Sequence, residues 1–387
     1  MKKNLLILHG GGPTAVINAS LYGAVSEAKA HPQVEHIFGA IGGTGGFLKG
    51  QMKDLKEIPE ERLRLLLTSP GSAIGTSRDH LEPEDYDTMA QIIQQQNIGW
   101  VLCNGGNGSM DMCGKLYTAC RRAGADVRVM GIPKTMDNDI AITDHSPGYG
   151  SAARYIAQSV QELCADVRSM PIHVVVLEAL GRNAGWVTAS SALARAGGQD
   201  GPDLVYLPER PFSEDDFLQD VSTLLQKKTG LVVVASEGLT DKNGKNIVPP
   251  VFQVGRSVNY GDVSAHLAGL ITQKLGYKSR GEKPGLLGRA SATLQSPVDR
   301  EEARVAGQLA CRAALEGETG KMVAFRRVEG PVYRAEPFLV EIEKVMLTER
   351  KMPQEYINAR GNGVTQQFVD WCRPLIGDEL PELVSFC

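Results

Sequence analysis

The sequence predicts an α/β protein with doubly wound, mainly parallel sheets, and three features of its 387 residues carry that expectation. Short apolar runs rich in Val, Ile and Leu recur along the chain, too continuous for strands with one solvated face. Each run ends in a turn rich in glycine or polar residues, and helical spacing follows, as in parallel strands joined by helices. The 43 glycines exceed the ~7% of average usage, and they concentrate in those turns rather than in linkers.

In chain order, Leu5–Leu8 is the first expected strand; His9-Gly10-Gly11-Gly12-Pro13-Thr14 is its turn, and a helix starts near Ala15. Trp100–Cys103 runs into Asn104-Gly105-Gly106-Asn107-Gly108-Ser109, with a helix from Met110. Val127–Ile132 leads to Pro133-Lys134-Thr135-Met136-Asp137-Asn138-Asp139. His173–Glu178 leads to Leu180-Gly181-Arg182-Asn183-Ala184-Gly185-Trp186, and Leu231–Ala235 to Ser236-Glu237-Gly238. Ligands of such sheets lie at the carboxyl ends of the strands. The runs fall into two units of similar size, with a boundary near Pro147-Gly148-Tyr149-Gly150. The tail, Met352–Cys387, suits a helix and a polar Gly361-Asn362-Gly363 turn, without chemistry of its own.

Composition narrows the function. Apolar residues make up 42% and charged residues 22%, and the net charge is -4. That balance excludes a generally basic, nucleic-acid-binding character. No run reaches the ~18 apolar residues of a membrane span. The four apolar residues after Asn4 fall short of the about 7–15 in a signal-peptide core. Cysteines at 103, 113, 120, 164, 311, 372 and 387 form no C-x-x-C pair and are odd in number. They read as buried free thiols in a reducing cytoplasm rather than a disulfide framework or zinc site.

Three loops could cradle phosphate: Gly10–Thr14, Gly105–Ser109, and Gly71–Arg78, the last ending in a guanidinium suited to bidentate contact. The first does not fit G-x-G-x-x-G with an acidic ribose clamp, so a nicotinamide cofactor is disfavoured. Gly238–Asn246 does not fit G-x-x-x-x-G-K-[ST] and reads as a solvated hairpin turn. Pro133–Asp139 is the densest segment. One of its carboxylates could take the proton of an attacking hydroxyl while Lys134 neutralises a transferring phosphoryl group.

With these residues the chain resembles the phosphofructokinase family, in particular its pyrophosphate-dependent (diphosphate–fructose-6-phosphate 1-phosphotransferase-like) branch. The likeness runs from Gly11-Gly12-Pro13-Thr14-Ala15-Val16-Ile17-Asn18 to Arg360-Gly361-Asn362-Gly363-Val364-Thr365. Pro133–Asp139 resembles the signature P-[GK]-T-[IM]-D-N-D, Leu180-Gly181-Arg182 the M-G-R loop, and Ser236-Glu237-Gly238 the acidic sugar-contact loop. The resemblance implies two doubly wound domains with the active site between them. Residues 1–148 with about 288–335 would bind donor phosphates; 149–287 with about 336–387 would bind the sugar phosphate.

It also implies roles. Asp137 would deprotonate the sugar's 1-hydroxyl, with Asp139 and Asn107 near a Mg²⁺. Lys134, Thr135 and Arg182 would hold the reacting phosphoryl group. Gly11, Gly12, Arg78, Asn107, Gly108 and Ser109 would line the donor's phosphates. Leu180, Gly181, Arg182 and Glu237 would contact the sugar, and Arg280, Arg289 and His173 its 6-phosphate. The pocket is completed across a subunit interface in the family, so a cytoplasmic homodimer or homotetramer is implied, with no nucleic acid or membrane partner.

Several positions depart from the pattern. Leu180 replaces methionine, His173 replaces an arginine, Leu286 replaces a histidine of the ATP branch, and Ala290-Ser291-Ala292-Thr293 is an unusual continuation after Arg289. Lys134 is the pyrophosphate-branch residue, whereas Gly108 is the ATP-branch one; Lys134 weighs more because it places a full charge beside the transferring group. The expectation is transfer from pyrophosphate to fructose 6-phosphate. Alternatives are ATP as donor, another sugar or polyol as acceptor, or a catalytically weak, sugar-phosphate-binding regulatory relative.

Overall fold

The computed structural model describes residues 2–170, 173–198, 200–254 and 257–386. The chain divides into two compact units, Met1–Ser151 with Arg289–Arg350, and Ala152–Gly288 with Lys351–Cys387. Its strands are β1 Lys3–His9, β2 Val34–Ala40, β3 Met52–Asp54, β4 Ile98–Gly105, β5 Arg128–Pro133, β6 Val174–Ala179 and β7 Leu204–Tyr206. They continue as β8 Leu231–Ser236, β9 Pro250–Val254, β10 Ser257–Tyr260, β11 Ser279–Glu282, β12 Lys321–Arg327 and β13 Ala335–Glu341.

In the first unit the order is β13-β12-β5-β4-β1-β2-β3. The five inner strands are parallel; β3 and β13 pair antiparallel at the two edges. Both faces are covered, which is why the strand sequences run continuously apolar. Leu6, Leu8, Val101 and Cys103 pack with the helices Pro83–Gln95 and Asn107–Arg122. Leu5, Ile7 and Leu102 pack with the helices Ile17–Lys29 and Pro297–Leu315. Each such fully buried aliphatic side chain contributes about 1.5–3 kcal/mol. The latter two helices touch backbone to backbone: a Cβ on Gly23 would overlap the Arg304 carbonyl, and one on Gly307 the Ser20 carbonyl. The chain leaves β1 toward β2 and later returns to β4 on its other side. The strand order therefore reverses between β1 and β4, and ligands bind at such a switch point.

The second unit holds a parallel four-stranded sheet, β11-β6-β8-β7, and the antiparallel hairpin β9–β10. Val174, Val176, Leu231 and Val233 join its core with Phe217, Val263, Leu267 and Ile271.

The expected α/β class with mainly parallel sheets is what the structure shows. Details differ. Residues 336–350 stay in the first unit rather than joining the second, because β13 pairs with β12 from Ala335 to Glu341. The helix expected from Met110 starts at Asn107, since the Gly106 carbonyl accepts the N–H groups of Ser109 and Met110. Residues 241–245 do form an exposed turn, closed by an antiparallel bridge between Thr240 and Asn246. Cys103, Cys113, Cys120, Cys164 and Cys311 are buried and free, Cys372 is buried, and Cys387 lies outside the described residues. Among the described residues no helix is long and apolar enough to cross a membrane.

Candidate active site

The three expected phosphate loops of the first unit meet at the β1–β4 switch point. Gly10 N–H donates to the Asn104 carbonyl and Gly11 N–H to the Ser77 carbonyl, both at 2.9 Å. Thr76 Oγ1 donates to the Gly11 carbonyl at 2.7 Å. Gly11 has φ 75°, the left-handed region that favours glycine. Ser109 is buried with its hydroxyl where a Cβ of Gly10 or Gly105 would sit, so both glycines are needed for the loops to approach. The 16-residue helix from Asn107 points its unpaired N–H groups at this point.

Three cations converge on the same loop. Lys134 is 2% exposed, and its Nζ donates to the carbonyls of Gly10 at 3.1 Å and Gly12 at 2.6 Å. Burial pulls its pKa down to about 8, helped by Arg289 and Arg78 and opposed by Asp137. The guanidinium of Arg289 lies against Gly12, where a Cβ would overlap it, and Arg78 Nη2 is 3.3 Å from the same point. Burial and Arg78 lower the Arg289 pKa, against the attraction of Asp137. The resemblance puts Arg289 on the sugar's 6-phosphate; within this unit it sits with Arg78 and Lys134 beside the Gly10–Gly12 loop. Gly108 is exposed, with no heavy atom within 4 Å of a Cβ placed there.

The Pro133–Asp139 segment leaves the end of β5 beside these groups. Thr135 N–H donates to the Pro147 carbonyl at 3.1 Å, and Asp137 N–H to Thr135 Oγ1 at 3.1 Å. Asp137 is half-buried and electrostatically linked to Lys134 and Arg289. Asn107 Nδ2 donates to the Asp139 carbonyl at 3.1 Å, so the two residues adjoin. Asn107 Oδ1 and Asp139 Oδ1 are both buried without a hydrogen-bond partner. Burial, with Glu349 nearby, raises the Asp139 pKa. Two orphaned oxygen acceptors suit a hard cation whose other ligands are phosphate oxygens and water. Among the described residues no group of three or more His, Cys, Asp or Glu forms a self-sufficient metal site.

In the second unit, the turns after β6 and β8 are stitched together. Gly181 N–H donates to Glu237 Oε1 at 3.2 Å, Glu237 N–H to the Ala179 carbonyl at 3.0 Å, and Ser236 Oγ to the Gly181 carbonyl at 2.8 Å. Leu180 is half-buried beside them. Arg182 reaches the Val258 carbonyl at 3.4 Å and lies 5.3 Å from the Tyr260 ring centre. With Asn183, Thr240 and Asn246 these residues line a pocket of about 340 Å³. His173 and Arg280 are elsewhere. His173 precedes β6, its ring 5.5 Å from that of Tyr277, and Arg280 pairs with Val175 near the start of β6. Arg182 and Glu237 follow the carboxyl ends of β6 and β8. A strand of six residues separates the two pairs, roughly 20 Å at ~3.3 Å per residue.

Two contributors were not anticipated. His9, 1% exposed, bonds Ser72 Oγ at 2.8 Å through Nδ1 and contacts Asn104 at 3.4 Å. Because Ser72 Oγ donates to the Gly75 carbonyl, His9 Nδ1 carries the proton, and burial with Lys134 pulls its pKa down to about 3. It is a neutral brace between the Gly71–Arg78 loop and β1. Asp299, 2% exposed, accepts from Gly148 N–H at 2.7 Å and Ser151 N–H at 2.9 Å, fixing where the Pro133–Gly148 segment ends. His9 is visible at the end of β1, whereas Asp299 reads locally only as the third residue of the helix capped by Ser296.

Residues 4–314 match the family described as Phosphofructokinase. The chain is 35% identical over 389 residues to a pyrophosphate–fructose 6-phosphate 1-phosphotransferase of Xanthomonas campestris pv. campestris, covering 98% of this chain and 92% of that protein. It is 34% identical to a sulfofructose kinase of Alkalicoccus urumqiensis, covering 90% of this chain and 91% of that one. The crystal structure of a pyrophosphate-dependent phosphofructokinase from Nitrosospira multiformis superimposes with a TM-score of 0.90 at 30% identity, over 100% of this chain and 95% of that chain.

Proposed function

The chain belongs to the phosphofructokinase family, and from that premise we propose that it transfers a phosphoryl group from pyrophosphate to the 1-hydroxyl of fructose 6-phosphate, giving fructose 1,6-bisphosphate. One observation carries the donor reading: the Lys134 ammonium, held on the Gly10 and Gly12 carbonyls with Arg78 and Arg289 alongside. These cations and the helix N-terminus at Asn107 neutralise a compact polyanion, and the electrostatic term is the larger part of phosphoryl transfer.

The residues divide the work. Gly11, Gly12, Asn107 and Ser109 let the donor's phosphates approach the backbone, with exposed Gly108 beyond the end of a short donor. Asp137 accepts the proton of the acceptor hydroxyl as the oxygen attacks. Thr135 fixes the Asp137 backbone, and Lys134 holds charge on the transferring group. Arg182 and Glu237 bind the sugar, aided by Leu180 and Gly181. Asn107 and Asp139 would hold Mg²⁺, which supplies further neutralisation of phosphate charge when bound. Since one copy does not bring His173 and Arg280 to the Arg182–Glu237 turns, we assign them to the pocket of a second copy in a homodimer or homotetramer. The free, buried thiols suit a cytoplasmic enzyme.

His173 favours a second acceptor. An imidazole offers the acceptor's far end two ring nitrogens where arginine offers a permanently charged fork of five N–H donors. A sulfonate, with one negative charge, suits that better than a phosphate dianion, and one relative is a sulfofructose kinase. Purified protein assayed with pyrophosphate and with ATP, against fructose 6-phosphate, sulfofructose and unphosphorylated sugars, tests both readings. The first predicts the highest kcat/KM for pyrophosphate with fructose 6-phosphate. A clear preference for sulfofructose establishes the second, and activity with ATP alone rejects the donor assignment.

A further inference from the structure

The segment that carries Asp137 and Asp139 is fastened to the rest of its unit at a place the reaction above leaves unused. Between the two carboxylates, Asn138 is fully buried with φ 54°, a left-handed backbone that asparagine tolerates better than other residues with a side chain because it can hydrogen-bond locally. Its side chain is held by Ser146 N–H, which donates to Asn138 Oδ1 at 2.9 Å. Ser146 in turn follows His145, whose ring is 1% exposed and bonded on both sides. Nδ1 is 2.9 Å from Asp144 Oδ2, and Nε2 is 2.7 Å from Glu302 Oε2 on the helix Pro297–Leu315.

Groups from several elements surround this ring. Tyr333 donates its hydroxyl to Glu302 Oε1 at 2.7 Å and lies 3.4 Å from His145 Nε2. Arg327 Nη2 reaches Asp144 Oδ2 at 3.2 Å. Phe325 stacks on the imidazole with ring centres 5.5 Å apart. Arg350 Nη1 donates to the carbonyls of Thr143 and Asp144, while its N–H donates to the Asp139 carbonyl at 2.7 Å. Thr143 Oγ1 donates to the His145 carbonyl at 2.7 Å.

We propose that His145, clamped between Asp144 and Glu302, is a positioning residue that holds the Asp137–Asp139 segment in its reactive arrangement. The inference rests on the phosphoryl-transfer reading above. Burial opposes charge on the ring, but Glu302 and Asp144 outweigh it and keep the imidazole protonated up to about 9. With both ring nitrogens donating, the imidazolium is the cation that meets Glu302 and Asp144 directly, with Arg327 on Asp144 and Arg350 on the neighbouring carbonyls. Loss of the proton takes that charge from between the two carboxylates and removes one of the two N–H bonds that fasten residue 145. The segment around it, with the Ser146–Asn138 contact, then loses its anchor to the helix.

The test begins with the native enzyme, whose kcat and KM for pyrophosphate and fructose 6-phosphate are followed from pH 6 to 10. Glu302→Gln keeps an acceptor for the ring but removes one carboxylate. We expect kcat to fall about tenfold at pH 8 with both KM values within about threefold of native. The pH at which kcat declines on the alkaline side should also move lower, because the imidazolium has lost its strongest support. Should that variant fail to fold, His145→Gln tests the same claim through the split between kcat and KM. A folded variant with native kcat and an unmoved alkaline decline overturns the proposal, as does a drop in Tm alone. A native enzyme without any transfer activity rejects the functional reading itself, a result distinct from active enzyme with unaffected variants.

Discussion

Asp137 is the residue on which the chemistry turns, and its surroundings suit a base that must stay ionised. It is half-buried, and Lys134 and Arg289 lie close enough for each to be coupled to it electrostatically. Asp137→Asn is nearly isosteric and keeps the bond from its own N–H to Thr135 Oγ1, so folding should survive. Turnover should drop about 10²–10⁴-fold with the proton acceptor gone. Near-native turnover in the folded variant would show that another group takes the proton. Lys134 adds a prediction about protons rather than rate. Burial holds its pKa near 8, so part of the free enzyme carries the neutral amine above that pH. A bound pyrophosphate favours the charged form and raises the pKa. Donor binding should therefore take up protons, most strongly between pH 8 and 9 and hardly at all at pH 6, where the amine is already charged. Calorimetric titration in buffers of different ionisation heat reads this directly, and equal apparent heats at pH 8.5 would count against a buried Lys134 at the donor. What was legible at this scale was identity, not contact. The loops announced Lys134, Asp137 and Arg78, but the carbonyls that receive Lys134, the approach of Arg289 to Gly12 and the Glu302–His145 pair join residues more than 100 positions apart. No local pattern encodes them.

At the scale of elements, the strands that were legible are those buried on both faces. β1, β4, β5, β6 and β8 show long apolar runs, because each needs side chains for two helical layers. β7 and β11 have only three and four residues, too few for any period to show. β13 contains Pro337, which suits an edge strand and reads in sequence as a break. Residues 336–350, which the resemblance puts in the second unit, stay in the first because this strand pairs with β12. The crossing of the helices Ile17–Lys29 and Pro297–Leu315 is equally silent in sequence, since it depends on two glycines among 43. It also makes a sharp prediction. In Gly307→Ala the new methyl group meets the Ser20 backbone carbonyl, which has no side-chain torsion by which to yield. The gain of about 1 kcal/mol in helix propensity should be outweighed by overpacking of about 1–3 kcal/mol or more. A lower Tm is expected, with KM values intact; a higher Tm would mean that the helices separate easily.

For the molecule as a whole, the open matter is the donor, where two markers point apart. Replacing Lys134 is a poor way to decide it, because its Nζ also ties the Gly10 and Gly12 carbonyls, so the variant would disturb the loop for either donor. Gly108 offers a cleaner test. It lies in the first turn of a 16-residue helix, exposed and facing open space, so a side chain there should meet nothing in the protein. An acidic residue in that turn interacts favourably with the helix dipole. Gly108→Asp should fold normally and keep pyrophosphate turnover within about threefold, because a short donor ends on the cations at Gly12. ATP is longer, and its further phosphate would have to pass a new carboxylate. Like charges about 5 Å apart at an effective dielectric of 20 repel by about 3 kcal/mol before salt screening. Any ATP-dependent turnover of the native enzyme should accordingly fall by about tenfold to a hundredfold. Equal losses with both donors would place the pyrophosphate itself over Gly108, and the cation cluster of Arg78, Lys134 and Arg289 would then not be where the donor ends.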